Sequence, residues 1–199
     1  MNLKDVGIKK EKTYTPEEYL ALEEQAEYRS EYLDGYIFEM AGGTESHIQI
    51  SFNVAKILAD KLRGKCRAYP SEMKVWVEEV GTFFYPDVTV VCGERKFYKG
   101  RRDIVENPIL LVEVLSESTK KYDKNDKFFT YQHTESFQEY VLISQNQPAV
   151  QQYNRQADGK WIYKATIGLN SEVYLESVET TISLSEIYDL VEFETEELL

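Results

Sequence analysis

The sequence predicts an α/β (α+β) fold, a central mixed β-sheet flanked by helices. Three observations carry that expectation. Helical and extended patterns interleave early in the chain, and extended patterns dominate late. The run Ile109-Leu110-Leu111-Val112-Glu113-Val114-Leu115 is apolar except for Glu113, and continuous rather than alternating apolarity marks a strand covered on both faces. The 199 residues, 42% hydrophobic and 13% aromatic, suit one domain with a real core and argue against disorder.

The elements follow in order. Thr15-Pro16-Glu17-Glu18 places a capping residue, a proline and a glutamate where a helix begins, and the helix should run to about Ala26. Tyr28 to Met40 reads as a hairpin, because Asp34-Gly35 supplies the positive φ values of a tight turn. A longer helix spans about Glu45 to Arg63 and ends at Gly64. Its stripe of Ile48, Phe52, Ala55, Leu58, Ala59 and Leu62 predicts the face that packs on a core. Strands rich in Val, Phe, Tyr and Trp are expected at 66–69, 73–78 and 83–92. The central strand 109–115 follows, and a helix near 120–133 should sit against it. Strands at Glu139–Ser144, Ala149–Asn154 and Lys160–Ile167 come next, with Asp158-Gly159 as a further hairpin turn. Ser183 and Glu186 match a capping box opening a last short helix.

Composition narrows the functional classes. No apolar run approaches the ~20 residues needed to cross a bilayer, and Met1 to Asp5 lack the apolar stretch of a secretory signal. Cys66 and Cys92 show no metal-ligand spacing and read as reduced thiols, hence a cytoplasmic protein. The net charge of −12 argues against a general nucleic-acid coat. The charge is uneven, however. Val191 to Leu199 hold four glutamates and no cation, whereas Arg95, Lys96, Lys99, Arg101 and Arg102 cluster in one loop and Lys120, Lys121, Lys124 and Lys127 form a second run. These runs are either solvated surface or a local site for a polyanion. Phosphate-loop, dinucleotide and nucleophile-elbow motifs are absent, so no organic cofactor is expected.

The residues that fit their surroundings worst are the candidates for chemistry. Glu113 interrupts an apolar strand, where an unpaired carboxylate costs several kcal/mol on desolvation. Asp87 follows Phe83-Phe84-Tyr85-Pro86 and precedes Val88-Thr89-Val90-Val91; Pro86 cannot donate to a ladder, so Asp87 marks a strand end or irregularity. Two carboxylates brought together need a cation or a shared proton, and a hard divalent ion such as Mg²⁺ satisfies both. The alternative is that each acid pairs separately with Lys or Arg. In a helix over 120–133, Asp123, Lys127 and Tyr131 share one face, and Lys127 is either a cation aimed at a developing phosphoryl charge or half of an exposed ion pair. Glu31 lies at the entry to the first hairpin. His47, near the start of the long helix, is placed to hydrogen-bond a phosphate, to orient a carboxylate, or simply to line the edge of the core. His133 has no partner signature.

These residues, in order, make up a pattern. Tyr14-Thr15-Pro16-Glu17-Glu18-Tyr19, Glu31-Tyr32-Leu33-Asp34-Gly35, His47, Pro86-Asp87-Val88, Glu113-Val114-Leu115-Ser116, and Tyr122-Asp123 with Lys127 and Tyr131 resemble the putative restriction endonuclease family of the PD-(D/E)XK nuclease superfamily. The likeness runs from about Tyr14 to Leu190. It divides the chain into an N-terminal extension (1–13), a nuclease-like domain (14–190) and an acidic tail (191–199). It implies a restriction-endonuclease-like core with the metal acids on adjacent strands. Asp87 and Glu113 would be Mg²⁺ ligands, with Mn²⁺ a possible substitute and the Val114 carbonyl a further oxygen. The superfamily's usual lysine, two residues after the glutamate, is replaced by Leu115, and Lys127 on the next helix would be the catalytic cation. Glu31 would act through water or on a second metal, and His47 matches a family position of unassigned role. The activity implied is hydrolysis of a DNA phosphodiester through metal-activated water, with DNA as partner and a homodimer as the plausible assembly. A catalytically inactive nuclease-fold module is the main alternative, and a sugar hydrolase using Glu31 and Glu113 is a remote third.

Overall fold

The computed structural model describes residues 13–116 and 120–193; the rest of the N-terminal extension and residues 194–199 of the acidic tail lie outside them. Helix α1 (Pro16–Glu23) begins with Thr15 and Glu18 in a reciprocal capping box and ends earlier than Ala26. Strands β1 (Ser30–Leu33) and β2 (Tyr36–Glu39) form the expected hairpin, its turn made by Asp34 at φ 48° and Gly35 at φ 85°, as a type I′ turn requires. Helix α2 (Glu45–Lys61) is capped by Thr44.

The predicted face of α2 holds at Leu58 and Leu62 and is corrected nearer the start of the helix. Ile48 and Phe52 are exposed, and the buried side chains are Ile50, Val54, Leu58 and Leu62. Both rows repeat at helical spacing, and only the sheet decides which one is covered.

Strands β3 (Cys66–Pro70) and β4 (Lys74–Val77) follow as expected. The single strand expected over 83–92 is instead two, β5 (Thr82–Phe84) and β6 (Val88–Cys92), which belong to different sheets. The break falls at Tyr85-Pro86-Asp87, where Pro86 has no N–H to offer a ladder. Strand β7 (Ile104–Val105) is short, and β8 (Leu110–Leu115) is buried along its whole length.

The helix after β8 is composite: α3 (Lys120–Tyr122), a π-helical turn (Asp123–Lys127) and α4 (Phe128–Tyr131). Strands β9 (Glu139–Ser144), β10 (Ala149–Arg155) and β11 (Trp161–Ile167) come next. The hairpin of β12 (Glu172–Leu175) and β13 (Thr180–Ser183), which the sequence pattern did not reveal, precedes α5 (Leu184–Ile187).

Among the described residues the strands form three sheets. The central one has six strands in the order β11-β10-β9-β8-β6-β3 and is mixed, because β8 and β9 run parallel and the other neighbours antiparallel. A five-stranded sheet runs β2-β1-β5-β4-β7. One face of the central sheet packs Val88, Val112, Val114 and Val141 against Ile50, Val54 and Leu58 of α2. The other packs Leu111, Leu115 and Tyr140 against Val75 and Phe84 of the five-stranded sheet and Phe128 and Tyr131 of α4. Strand β8 is thus covered on both faces, as its apolar run predicts.

The reading of Cys66 and Cys92 as reduced thiols is also corrected. They stand opposite one another across β3 and β6, their Cα atoms 4.1 Å apart, and are joined by a disulfide. A separation of 26 residues gives no hint of such pairing; it emerges only from strand register. The argument from reduced cysteines to a reducing compartment falls with it.

Candidate active site

The antiparallel ladder of β6 and β8 ends at Val88 opposite Val112. Asp87 and Glu113 are the next residues beyond that pair, Asp87 at the break where Pro86 separates β5 from β6 and Glu113 within β8. Glu113 points away from α2, into the space between the central sheet, the five-stranded sheet and the composite helix.

Four buried side chains meet there. Lys127 Nζ lies 2.9 Å from Glu31 Oε1, 3.3 Å from Glu113 Oε1 and 3.5 Å from Asp123 Oδ1, and none of the four side chains is more than 7% exposed. Lys127 is therefore no surface partner of Asp123. The π turn places the two on the inner face, consistent with the frequent use of such turns at functional sites. The Tyr131 hydroxyl donates to Glu113 Oε1 at 3.2 Å, the Tyr85 amide donates to Glu31 Oε1 at 3.2 Å, and the Tyr140 hydroxyl donates to the Asp123 carbonyl at 3.0 Å. The rings of Phe84 and Tyr122 each lie 5.7 Å from the ammonium.

The electrostatics follow from crowding. Burial pushes the Glu113 carboxyl well above its ordinary range, against the pull of Lys127, and the charges of Asp123, Asp87 and Glu31 push the same way. Burial likewise raises Glu31. For Lys127 burial disfavours the ammonium, but the attraction of Glu113, Glu31 and Asp123 outweighs it and holds the pKa well above normal. The lysine stays charged at neutral pH, and the surplus of carboxylates around it is what the site must accommodate.

Asp87 belongs to a second group of contacts. Its Oδ1 lies 2.8 Å from His47 Nε2, and its Oδ2 accepts from the Val114 amide at 2.7 Å. Burial lowers the His47 pKa, but the hydrogen bond and charge of Asp87 prevail and raise it. The imidazole is backed by Gly43, where an added Cβ would stand 3.1 Å from His47 Cδ2. In an extended strand the N–H and C=O of one residue face the same side, so the Val114 carbonyl also faces the Asp87 edge, beyond the last β6–β8 pair. Asp87 and Glu113 thus sit on adjacent strands within electrostatic reach, each held by its own partners.

Asp123 is the site residue that sequence reasoning set beside Lys127 without assigning it to the chemistry; its spacing of four from Lys127 was the signal. Tyr131 and the Tyr85 amide join it. The cationic loop is partly used up inside the fold: Lys99 pairs with Glu17, and Arg101 with Glu24 and Asp103. His133, without a partner signature in the sequence, pairs with Glu79 at 3.0 Å.

Among the described residues no group of three or more His, Cys, Asp or Glu side chains is arranged to hold a metal. The available donors are instead the two carboxylates of Asp87 and Glu113 with the Val114 carbonyl. Their chemistry, oxygen only, is the kind that Mg²⁺ takes, commonly one or two carboxylates with waters, while in this structure Asp87 is turned to His47 and Glu113 to Lys127.

The mixed sheet and flanking helices have a close counterpart among solved structures. The crystal structure of a putative nuclease belonging to DUF820 from Anabaena variabilis superposes with a TM-score of 0.72 at 18% identity, over 88% of this chain and 97% of that one. The two chains share one fold. The sequence narrows this: residues 16–185 match the family described as Uma2, putative restriction endonuclease, and the chain belongs to that family. Two Synechocystis relatives agree over most of their length. Uncharacterized protein sll1609 is 37% identical over 163 residues, 81% of this chain and 92% of its own, and uncharacterized protein slr1290 is 33% identical over 178 residues, 87% and 90% respectively. No helix among the described residues is long and apolar enough to cross a membrane.

Proposed function

We propose that this protein is a Mg²⁺-dependent endonuclease that hydrolyses DNA phosphodiester bonds. The observation that supports the reading is the end of the β6–β8 ladder at Val88 and Val112, which leaves Asp87 and Glu113 as the next residues on two adjacent strands, with Glu113 beside the buried Lys127 ammonium. Asp87, Glu113 and the Val114 carbonyl would hold the ion, with Mn²⁺ able to replace it. A bound Mg²⁺ supplies a water of lowered pKa and offsets charge on the phosphoryl oxygens.

The chain's own residues do the rest. Lys127, kept in place by Glu31 and Asp123, offers positive charge to a non-bridging oxygen where the phosphorus accumulates negative charge. Glu31, fixed by the Tyr85 amide, is placed to orient a water. His47 holds the Asp87 carboxylate in one orientation. Arg95, Lys96 and Arg102, which form no ion pair among the described residues, remain for backbone phosphates.

Incubation with supercoiled plasmid, with and without Mg²⁺ or Mn²⁺, tests the proposal. Nicking that needs the ion and is lost in Asp87→Ala and Glu113→Gln supports it; cutting unchanged in both variants removes these acids from the chemistry.

A second reading, a nuclease-fold module without activity, is favoured by one observation. All three donors of the Lys127 ammonium face carboxylates of the chain itself. A protein that binds neither Mn²⁺ nor DNA would fit only this reading.

A further inference from the structure

The sheet edges are not alike. Strand β2 has four residues and β7 two. Strand β3 carries exposed Arg67, ends in Pro70 and is cross-linked to β6. These are the devices by which proteins blunt an edge. Strand β11 has seven residues, pairs among the described residues only with β10, and is exposed over most of its length: Ile162 46%, Tyr163 52% and Ile167 72%, with Leu169 at 44% just beyond. Its one charged residue, Lys164, would ordinarily guard such an edge, but it is drawn aside into an ion pair with Glu176.

We propose that the β11 edge joins two copies of this chain. The occupant follows from charge and symmetry. Two chains of net charge −12 repel over most of their surfaces, and β11 is a strip whose single charge is already neutralised. A strand paired antiparallel with its own copy meets the requirement that the same patch face itself across a two-fold axis. In such a pair one residue lies opposite itself at the axis. Centring on Lys164 would oppose two ammonium groups, whereas centring on Ala165 puts a small residue at the axis and sets Tyr163 of one copy against Ile167 of the other. That covers the two most exposed large hydrophobic side chains of the strand in an aromatic–β-branched pair, a favourable cross-strand combination.

The joined sheet would have twelve strands. From β8 of one copy to β8 of the other is seven strand spacings, about 34 Å at ~4.8 Å each. An axis normal to the sheet puts both Lys127 helices on the same side. This last consequence rests on the nuclease reading, for it presents two sites to one face of a duplex; the dimer itself rests on the edge alone.

Sedimentation equilibrium of the full chain tests it. The wild type should have twice the chain mass at micromolar concentration. Tyr163→Glu and Ile167→Lys, both at exposed positions, should each weaken association about tenfold or more while keeping the wild-type circular dichroism. Ala165→Cys should give a covalent dimer on oxidation. A monomeric wild type, a dimer unaffected by either charge substitution, or a dimer that Ala165→Cys does not cross-link overturns the proposal. A dimer that leaves plasmid intact with every metal would instead overturn the nuclease reading and leave the interface standing.

Discussion

His47 Nε2 and Asp87 Oδ1, 40 residues apart in sequence, lie 2.8 Å from each other, so the first turn of α2 fixes the carboxylate at the break between β5 and β6. Partners that orient a ligating carboxylate typically account for 10–100-fold in metal affinity. His47→Ala is therefore expected to weaken Mn²⁺ binding about tenfold or more, and Gly43→Ala, whose Cβ would press on the imidazole, should weaken it in the same direction but less. A Mn²⁺ titration followed by paramagnetic resonance checks both; unchanged affinity in His47→Ala would detach this histidine from the site.

Lys127→Met should cost stability as well as rate. The substitution leaves Glu31, Glu113 and Asp123 buried without their shared cation, and breaking a buried pair by removing one partner typically costs about 3–5 kcal/mol. Urea unfolding measures the loss. A value within the scatter of surface substitutions would show that the three carboxyls accommodate themselves without the lysine.

Reduction of the Cys66–Cys92 disulfide should lower the melting temperature, because closing a loop of this length removes about 3–4 kcal/mol worth of freedom from the unfolded chain. Cys66→Ser/Cys92→Ser should show the same loss and no longer respond to dithiothreitol. A wild type indifferent to reductant would mean that the bond contributes nothing to stability.

Asp103 supplies a pH signature away from the site. Burial raises its pKa, but the Arg101 guanidinium, then a backbone hydrogen bond and Lys74, pull the carboxyl below its ordinary 3.8. A carboxylate depressed in the folded state contributes stability above its unfolded pKa and loses it as pH falls through the folded value. Between about pH 5 and pH 3, the wild type should thus lose stability more steeply than Asp103→Asn. Parallel curves in thermal melts would refute the assignment.

Much of this architecture is legible in the chain before any coordinates. Capping boxes at Thr15 and Ser183, the Asp34-Gly35 turn and the apolar run around Glu113 are local signals, and local signals survive translation into structure. What escapes is whatever depends on register or on competing faces. The two apolar rows on α2 share Leu58 and Leu62 and part only nearer its start, where the choice between Ile48 with Phe52 and Ile50 with Val54 needs the sheet that covers one of them. Cys66 and Cys92 meet only because β3 and β6 pair. The β12–β13 hairpin, with exposed Glu172 and Tyr174, lacks the strong β-branched run that marks β6 or β8. In the candidate site, Asp87 and Glu113 stand out because each is an acid among apolar neighbours. Asp123 does not, since an acid in a lysine-rich helix looks like ordinary surface until the π turn points it inward.

Leu115 occupies the position two residues beyond Glu113 and is almost wholly buried in the core. Under the proposed function the ammonium comes from Lys127 on a separate helix, which would release the central strand from half of a double duty. Its residues after Glu113 are free to drift among apolar types as the interior demands, while the helix can tune reactivity through its own pitch. Selection on durability and selection on chemistry would then fall on different stretches of the chain.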